Sequence, residues 1–582
     1  VNLSAPTTKH GHVPASVTCD VLVVGSGAGG LAAATTAAIL GLDVILVEKD
    51  KWVGGTTALS GGFMWLPGNP VSQRAGVKDS AAAARTYLAH EAGNHFDDAK
   101  VDTFLATIPE AVAFYETRTA LAFDAAPEFS DYHPEAPGGV AGGRSIIARP
   151  LEGTELGGDF SRLRPPLPEL KFAGMTIGTG PDLKHFSNAT RSPRSAAYVA
   201  GRFARHLMDR IVHGRDMRLT NGGALAGRLL RSAIDAGVDV RTQVPVTALI
   251  QDGGRVRGAL VGQGANAFEV IARRGVILAT GGFPNDKALR RRLFPHEAIG
   301  RGHLSPAPAS NTGDGIRIAE EAGAALQLDY PNAAAWVPVS RVPRRDGTWG
   351  LFPHFIDRGK PGLIAVKPNG KRFTNEANSY HDFMQGLFRA QEPGDRCNAF
   401  LIVDHRFLRT FGLGFAKPFP VPYGPLVKSG YLKTGRTLSE LAVVAGIDPN
   451  GLAETVAAFN RDCADGVDRA FGKGSTAYNR FYGDARYQPN PCLAPIEHGP
   501  FFAVEIGVGD LGTFAGIRTN AHAQVVDKDS QPIAGLYAVG NDAASIAGGN
   551  YPGGGITLGP AIVFAYIAAM HLAGAAPAAQ SA

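Results

Sequence analysis

Residues Cys19–Asp50 read CDVLVVGSGAGGLAAATTAAILGLDVILVEKD, and how this stretch is punctuated decides the fold. Cys19–Val24 is an apolar run suited to a buried parallel strand. It enters the turn Gly25-Ser-Gly27-Ala28-Gly29-Gly30, and an Ala-rich helix follows, ending near Gly41. A second apolar run, Val44–Val47, stops at Glu48, 23 residues after the first glycine. Gly25 permits the tight turn, Gly27 lets a pyrophosphate reach backbone N–H groups, and Gly30 lets helix and strand pack closely. The helix N-terminus holds the phosphates, and Glu48 is placed to accept from ribose hydroxyls. The spacing GxGxxG alone is weak evidence, because Gly507, Gly509 and Gly512 also satisfy it without a helix pattern behind them.

Beyond Glu48 a second glycine- and hydroxyl-rich loop contains Gly54-Gly55-Thr56-Thr57 and Ser60-Gly61-Gly62, as a long cofactor running toward an isoalloxazine requires. Val246–Val261 reads as two strands around an Asp-Gly-Gly turn. Gly275–Phe283 is a strand entering the Gly281-Gly282 turn, Asn311–Gly315 opens a helix, and Ile533–Asp542 is another strand. Gly553-Gly554-Gly555 precedes an apolar helix from Ile556, whose dipole would face an electron-rich ring edge. No second complete unit is present for a nicotinamide nucleotide, so one FAD, held non-covalently, is expected. Its expected contacts are Gly25, Gly27, Ala28, Gly29 and Gly30, then Glu48, Lys49, Gly55, Thr56 and Thr57, then Ser60, Gly61 and Gly62. Farther along they are Val246, Gly281, Gly282 and Asp314, and finally Asn541, Gly555, Thr557 and Leu558.

These residues resemble the fumarate reductase/succinate dehydrogenase flavoprotein superfamily, and within it the 3-ketosteroid Δ1-dehydrogenases. The resemblance spans most of the chain: EKDKWVGGTTALSGGFMWLPGN at 48–69, GKRFTNEANSYHDF at 370–383, then GDLGTFAGI at 509–517, GLYAVGN at 535–541 and NYPGGGITLGPAIVF at 550–564. Dicarboxylate enzymes of the superfamily need Arg and His to clamp their substrate. The corresponding segments here, Leu511–Gly516 and Gly549–Gly555, have neither. Instead Tyr551 and Gly555 match the ketone-holding pair of the ketosteroid enzymes. Tyr380 matches their catalytic base and Tyr132 the tyrosine that assists it, although His133 follows Tyr132 where a second aromatic hydroxyl is expected.

The resemblance implies an α/β fold: a discontinuous Rossmann-like FAD-binding domain (1–324 and 493–582) with an inserted α+β catalytic or cap domain (325–492). It also implies 1,2-dehydrogenation of a 3-ketosteroid. Tyr380 would remove the C2 proton, the C1 hydrogen would pass as hydride to flavin N5, and Tyr551 with the Gly555 N–H would hold the enolate oxygen. A phenol titrating near ~10 is a poor base at neutral pH, so Tyr132 donating to it has a tuning role. Gly555 is expected to leave room for the ketone oxygen. Trp336, Trp349, Phe352 and Phe355 are candidates to line an apolar pocket. The alternatives are the same chemistry on a cyclohexanone-type ketone, a fumarate-reductase-like ene-reductase, and a non-catalytic flavin subunit relaying electrons. An external acceptor such as a quinone is expected.

Composition agrees. The chain has 582 residues, 45% hydrophobic and 19% charged, with 74 glycines that the loops above partly explain. A formal charge of +5 does not argue for nucleic acid. Cys19, Cys397, Cys463 and Cys492 are scattered without metal-ligand spacing, so no metal is expected. No secretory signal shows in Val1–Ser16, no stretch spans a bilayer, and a cytoplasmic protein is expected, with a frayed tail AGAAPAAQSA. One extension stands apart: 161–220 holds eleven Lys/Arg against four acids. Val199, Phe203, Leu207 and Ile211 recur at four-residue steps, with Ala200, Ala204, Met208 and Val212 alongside, making a basic amphipathic helix. Two placements suit it: packed on its own protein, or resting peripherally on an anionic membrane.

Overall fold

The computed structural model describes residues 16–297 and 302–575. The expected polar lead-in before Ser16 and the end of the Ala-rich tail lie outside them. The motif residues build the second and third strands of an eight-stranded sheet ordered 239–242, 44–48, 16–24, 268–278, 255–261, 246–252. The first four strands run parallel, 532–538 pairs parallel with 268–278, and the hairpin 246–261 is antiparallel. Val21–Val24 and Val44–Val47 are buried on both faces, as a continuous apolar run requires of a sheet covered on both sides.

The helix Ala28–Ile39 packs against Leu558–Ala573, so the first and last helices of the described chain meet on the sheet. Both are rich in small residues, and Ala32, Ala33, Ala565 and Ala568 are fully buried. That allows close backbone approach.

A second, antiparallel sheet is ordered 349–353, 334–343, 501–513, 398–404, 363–366. Its long central strand Phe501–Thr513 lies past the expected boundary at 493 and carries the chain back from this sheet toward the FAD-binding motifs. The extension forms a short hairpin at 171–176 and the helices Pro181–Asn188 and Pro193–His213. No helix among the described residues is long and apolar enough to cross a membrane.

Candidate active site

A cleft opens where the parallel strands 16–24, 44–48 and 268–278 end. Gly25 has φ +104°, and a Cβ there would lie 2.3 Å from the Ala279 carbonyl oxygen. Gly27 caps the helix Ala28–Ile39 without a side chain, and Thr57 Oγ1 accepts from the Ala28 N–H at 2.9 Å. Glu48 accepts from the Ser26 N–H and hydroxyl at 3.0 and 2.6 Å, which fixes its carboxylate at the strand end. Lys49 pairs with Asp314 at 2.5 Å and donates to Thr312 at 2.7 Å. Asp542, fully buried, accepts from the Thr280 N–H at 2.5 Å and from the Gly282 N–H at 2.9 Å, pinning the second glycine turn. A helix N-terminus opened by glycine, a carboxylate beyond it and a long glycine-walled cleft are what a dinucleotide needs.

Most expected contacts line this cleft: Gly25, Gly27, Ala28, Gly29, Glu48, Lys49, Gly55, Thr56, Thr57, Ser60, Val246, Gly281, Asp314, Asn541, Thr557 and Leu558. Gly30, Gly61, Gly62, Gly282 and Gly555 stand outside its wall. The missing Cβ of Gly30 accommodates the Gly25 carbonyl, which would lie 1.9 Å away, and that of Gly62 the Asn221 backbone at 2.5 Å. Gly282 makes room for Thr513 Oγ1, and Gly61 faces Phe63. Arg164, Asn311 and Thr280 also line the cleft and were not expected. Arg164 comes from the basic extension, and the short polar residues are indistinguishable in sequence from turn caps.

Beyond Thr557 three tyrosines converge. Tyr132 donates to the Tyr380 hydroxyl at 2.8 Å. The Tyr551 ring stacks on Tyr132 (5.2 Å, 19°) and meets Tyr380 edge-on (5.2 Å, 84°). Tyr380 opens the helix Tyr380–Arg389, capped by Ser379, whose hydroxyl accepts from the Asp382 N–H. Tyr132 lies on a loop whose N–H donates to the Pro552 carbonyl at 2.9 Å, so the loops bearing Tyr132 and Tyr551 are stitched together. Beneath them Asp131 is held by Arg144 at 2.8 Å and by the Trp65 indole at 2.9 Å.

The glycines of this turn are required by packing. A Cβ on Gly553 would meet Trp65 at 2.5 Å, one on Gly554 Phe129 at 2.6 Å, and one on Gly555, φ +100°, the Phe63 carbonyl at 2.4 Å. Packing and a positive φ thus suffice to require glycine at 555, alongside the ligand-facing reason anticipated for it.

Burial raises Tyr132 and Tyr380 well above the ordinary phenol. The hydrogen bond from Tyr132 lowers Tyr380, the sign anticipated, but burial outweighs it. Burial also pushes Tyr551 up, and hydrogen bonds involving Tyr380, Thr557 and the Gly555 amide leave it at about 12. His133 lies between Asp382 (2.9 Å) and Glu91 (2.8 Å). Burial acts to lower it, but its hydrogen bonds to Asp382 and Glu91 prevail and raise it to about 11. The residue that departs from the expected aromatic is therefore an imidazolium strapping the Tyr132 loop to the Tyr380 helix.

Of the aromatics proposed for the pocket, only Phe355 reaches the tyrosines, 5.5 Å from Tyr380. Trp336 is core, bonded to Asn332; Phe352 packs on His354, and Trp349 is exposed. Tyr478 (4.8 Å from Tyr132) was missed, since nothing in its local sequence separates it from ordinary packing residues, and Phe514 (5.8 Å from Tyr551), although inside the GDLGTFAGI segment, was given no role.

A sequence profile described as FAD binding domain matches residues 20–558. The 4-oxocyclohex-2-ene-1-carboxylate 5-dehydrogenase of Sinomonas cyclohexanicum is 42% identical over 97% of this chain and 95% of its own. The 3-oxosteroid 1-dehydrogenase of Mycobacterium tuberculosis H37Rv is 36% identical over 95% of this chain and 98% of its own. The crystal structure of 3-ketosteroid delta1-dehydrogenase from Sterolibacterium denitrificans, in complex with 1,4-androstadiene-3,17-dione, superposes with a TM-score of 0.88 at 34% identity, covering 96% of this chain and 99% of that one. The chain belongs to this FAD-binding family. It is an FAD-dependent oxidoreductase acting on CH–CH groups, and FAD is its cofactor.

Proposed function

We propose that this flavoprotein desaturates a cyclic ketone between the carbons α and β to the carbonyl, with a 3-ketosteroid as substrate and C1–C2 as the bond. The observation that carries the reading is the hydroxyl contact between Tyr132 and Tyr380 beside Tyr551. Tyr551 and the Gly555 N–H hold the carbonyl oxygen and stabilise the negative charge that builds there as the α proton leaves. Tyr380 takes that proton, and Tyr132, donating to the Tyr380 oxygen, stabilises its anionic form. Burial keeps water from the phenols, so the base is protected but hard to ionise. Bound FAD, held by the glycine turns, Glu48 and the Thr56–Ser60 loop, supplies the acceptor for the electron pair and hydrogen lost from the neighbouring carbon. An external acceptor of quinone type then regenerates it. In this reading both chain ends build the FAD-binding part, and the segment between them contributes Tyr380 and Phe355.

A single-ring keto acid is the second reading, favoured by the 42% identity to the Sinomonas enzyme. A neutral substrate is preferred because the cations near the tyrosines are already engaged, Arg144 by Asp79 and Asp131. His133 is held by two carboxylates, and Arg358 donates to the carbonyls of Glu376 (2.8 Å) and Asn378 (3.0 Å). Single-turnover bleaching of the purified yellow protein decides between them. Reduction by a 3-keto-4-ene steroid supports the first reading. A flavin that stays oxidised with steroid but bleaches with a 4-oxocyclohexanecarboxylate refutes it.

A further inference from the structure

Arg358 is 1% exposed, and among the described residues every hydrogen bond of its guanidinium goes to a backbone carbonyl. Nη1 donates to Glu376 at 2.8 Å and to Asn378 at 3.0 Å, Nε to His354 at 3.3 Å, and Nη2 to Phe355 at 3.5 Å. The guanidinium also lies over the Phe383 ring, 4.8 Å from its centre. It therefore clasps the segment that carries Phe355 to the one that leads into Tyr380. Asn479, beside Tyr478, joins the clasp by donating to the Asn378 side chain at 3.0 Å. A rigid fork of donors suits several carbonyls at once, but neutral carbonyls leave the charge uncompensated. A fully buried charge without an opposite charge is costly.

The acids around it are committed elsewhere. Asp357 accepts from His354 at 2.6 Å and from the Gly414 N–H at 3.1 Å, and the Glu376 carboxylate pairs with Arg372 at 2.8 Å. On the Tyr380 helix, Asp382 is bonded to Ser379 at 2.6 Å and to His133 at 2.9 Å, and Glu91 holds the other side of that imidazole. The groups left to face Arg358 are phenols. Burial lowers Arg358, and Tyr478, Asp357, Tyr482 and Tyr132 act to raise it. Burial raises Tyr478 and Tyr482 in turn, and Arg358 pulls both down. Tyr132 shares its hydrogen bond with Tyr380 at 2.8 Å, so an anion formed on this pair belongs to both oxygens. A cation facing Tyr132 favours that anion, against burial and the opposing phenols Tyr551 and Tyr478.

We propose that Arg358 is a positioning residue of the tyrosine site, fixing the segments around Tyr380 and supplying the positive charge that stabilises the anion shared by Tyr132 and Tyr380. This rests on the reading of Tyr380 as the base. The test pairs the pH profile of single-turnover flavin reduction with a substrate-free titration of tyrosinate absorbance in the FAD-loaded protein. Tyr380→Phe identifies the Tyr380 step in that titration. In Arg358→Gln both transitions move to higher pH by about one unit. Arg358→Lys keeps the charge without the fork, so both transitions return toward the wild-type pH while the rate stays low. Asp357→Asn removes an anion beside the cation, keeps an acceptor for His354 and Gly414, and moves both transitions to lower pH. A clasp that only held the backbone would change the rate or the Tm and leave the pH of both transitions in place. Superimposable Arg358→Gln and wild-type curves overturn the proposal, and so does a Lys variant displaced as far as the Gln variant. Should Arg358→Gln fail to retain FAD, Asp357→Asn decides, and an unmoved or upward transition there overturns the proposal. A flavin that no cyclic ketone reduces ends the proposed reaction, whereas the tyrosinate titration still decides the role of Arg358.

Discussion

The hydroxyls of Tyr132 and Tyr380 lie 2.8 Å apart although 248 residues separate them in the chain. One is fixed by a loop bonded to Pro552, the other by the first turn of a helix capped by Ser379. Their contact couples the ionisation of Tyr380 to the orientation of Tyr132, and it is sensitive to any change that moves either support.

Ionisation of Tyr380 sets a pH dependence. Burial raises its pKa, so only a small fraction is phenolate at neutral pH, and flavin reduction rises with pH across the neutral-to-alkaline range. Tyr132 acts in the lowering direction, so Tyr132→Phe moves that rise to higher pH. Stopped-flow pH profiles of both proteins check this; superimposable profiles remove Tyr132 from the tuning role.

Replacing Tyr551 by Phe keeps the ring stacking on Tyr132 and removes the hydroxyl beside the Gly555 amide. Loss of one donor to a developing oxyanion costs about 10²–10³ in rate. Single-turnover flavin reduction should fall by that order with the flavin absorbance intact, and an undiminished rate would take Tyr551 out of the site.

His133 is raised to about 11 in the folded protein against about 6.5 unfolded. A group raised on folding stabilises fully below its unfolded pKa, and that contribution is lost as pH rises through the folded value. The Tm difference between wild type and His133→Gln is therefore largest below about pH 6.5 and shrinks steadily from there toward pH ~11. A gap independent of pH over that window would show that His133 does not carry charge.

A methyl group at Gly30 would meet the Gly25 carbonyl at 1.9 Å, backbone against backbone, with no flexible atom to yield. Overpacking of this kind costs about 1–3 kcal/mol or more. Gly30→Ala should lower Tm and weaken FAD retention together, measured by calorimetry and by flavin release on dilution. Wild-type values for both would mean that the turn is looser than its contacts indicate.

The order strand, glycine turn, helix, strand, acid was legible because each step is local. Apolar runs make buried strands, Gly25 supplies a positive φ, and the capless Gly27 opens a helix end. A cofactor cleft follows from such a unit almost directly, and the glycine loops at 54–62 and 281–282 extend it. The individual glycines were harder to assign. Gly30 is placed in a packing role by the sequence, and the Gly25 carbonyl occupies the space of its missing Cβ; Gly62 and Gly282 look like ligand contacts in a sequence, yet each makes room for a neighbouring backbone or side-chain atom that only the packed structure supplies.

The tyrosine site divides the same way. Its members Tyr132, Tyr380 and Tyr551 were identifiable from the motifs around them. Their burial, the imidazolium strap from His133 and the added rings of Tyr478 and Phe514 depend on contacts between distant segments. The basic helix makes the distinction sharpest. Periodicity establishes that Leu207 and Ile211 share one face and Arg202 and His206 another, since 3.6 residues per turn is a property of the backbone. Which face meets water depends on what lies beneath. Asp182, Asp216 and the Met217 N–H engage the polar side, so the polar face turns inward and the apolar face is left outside.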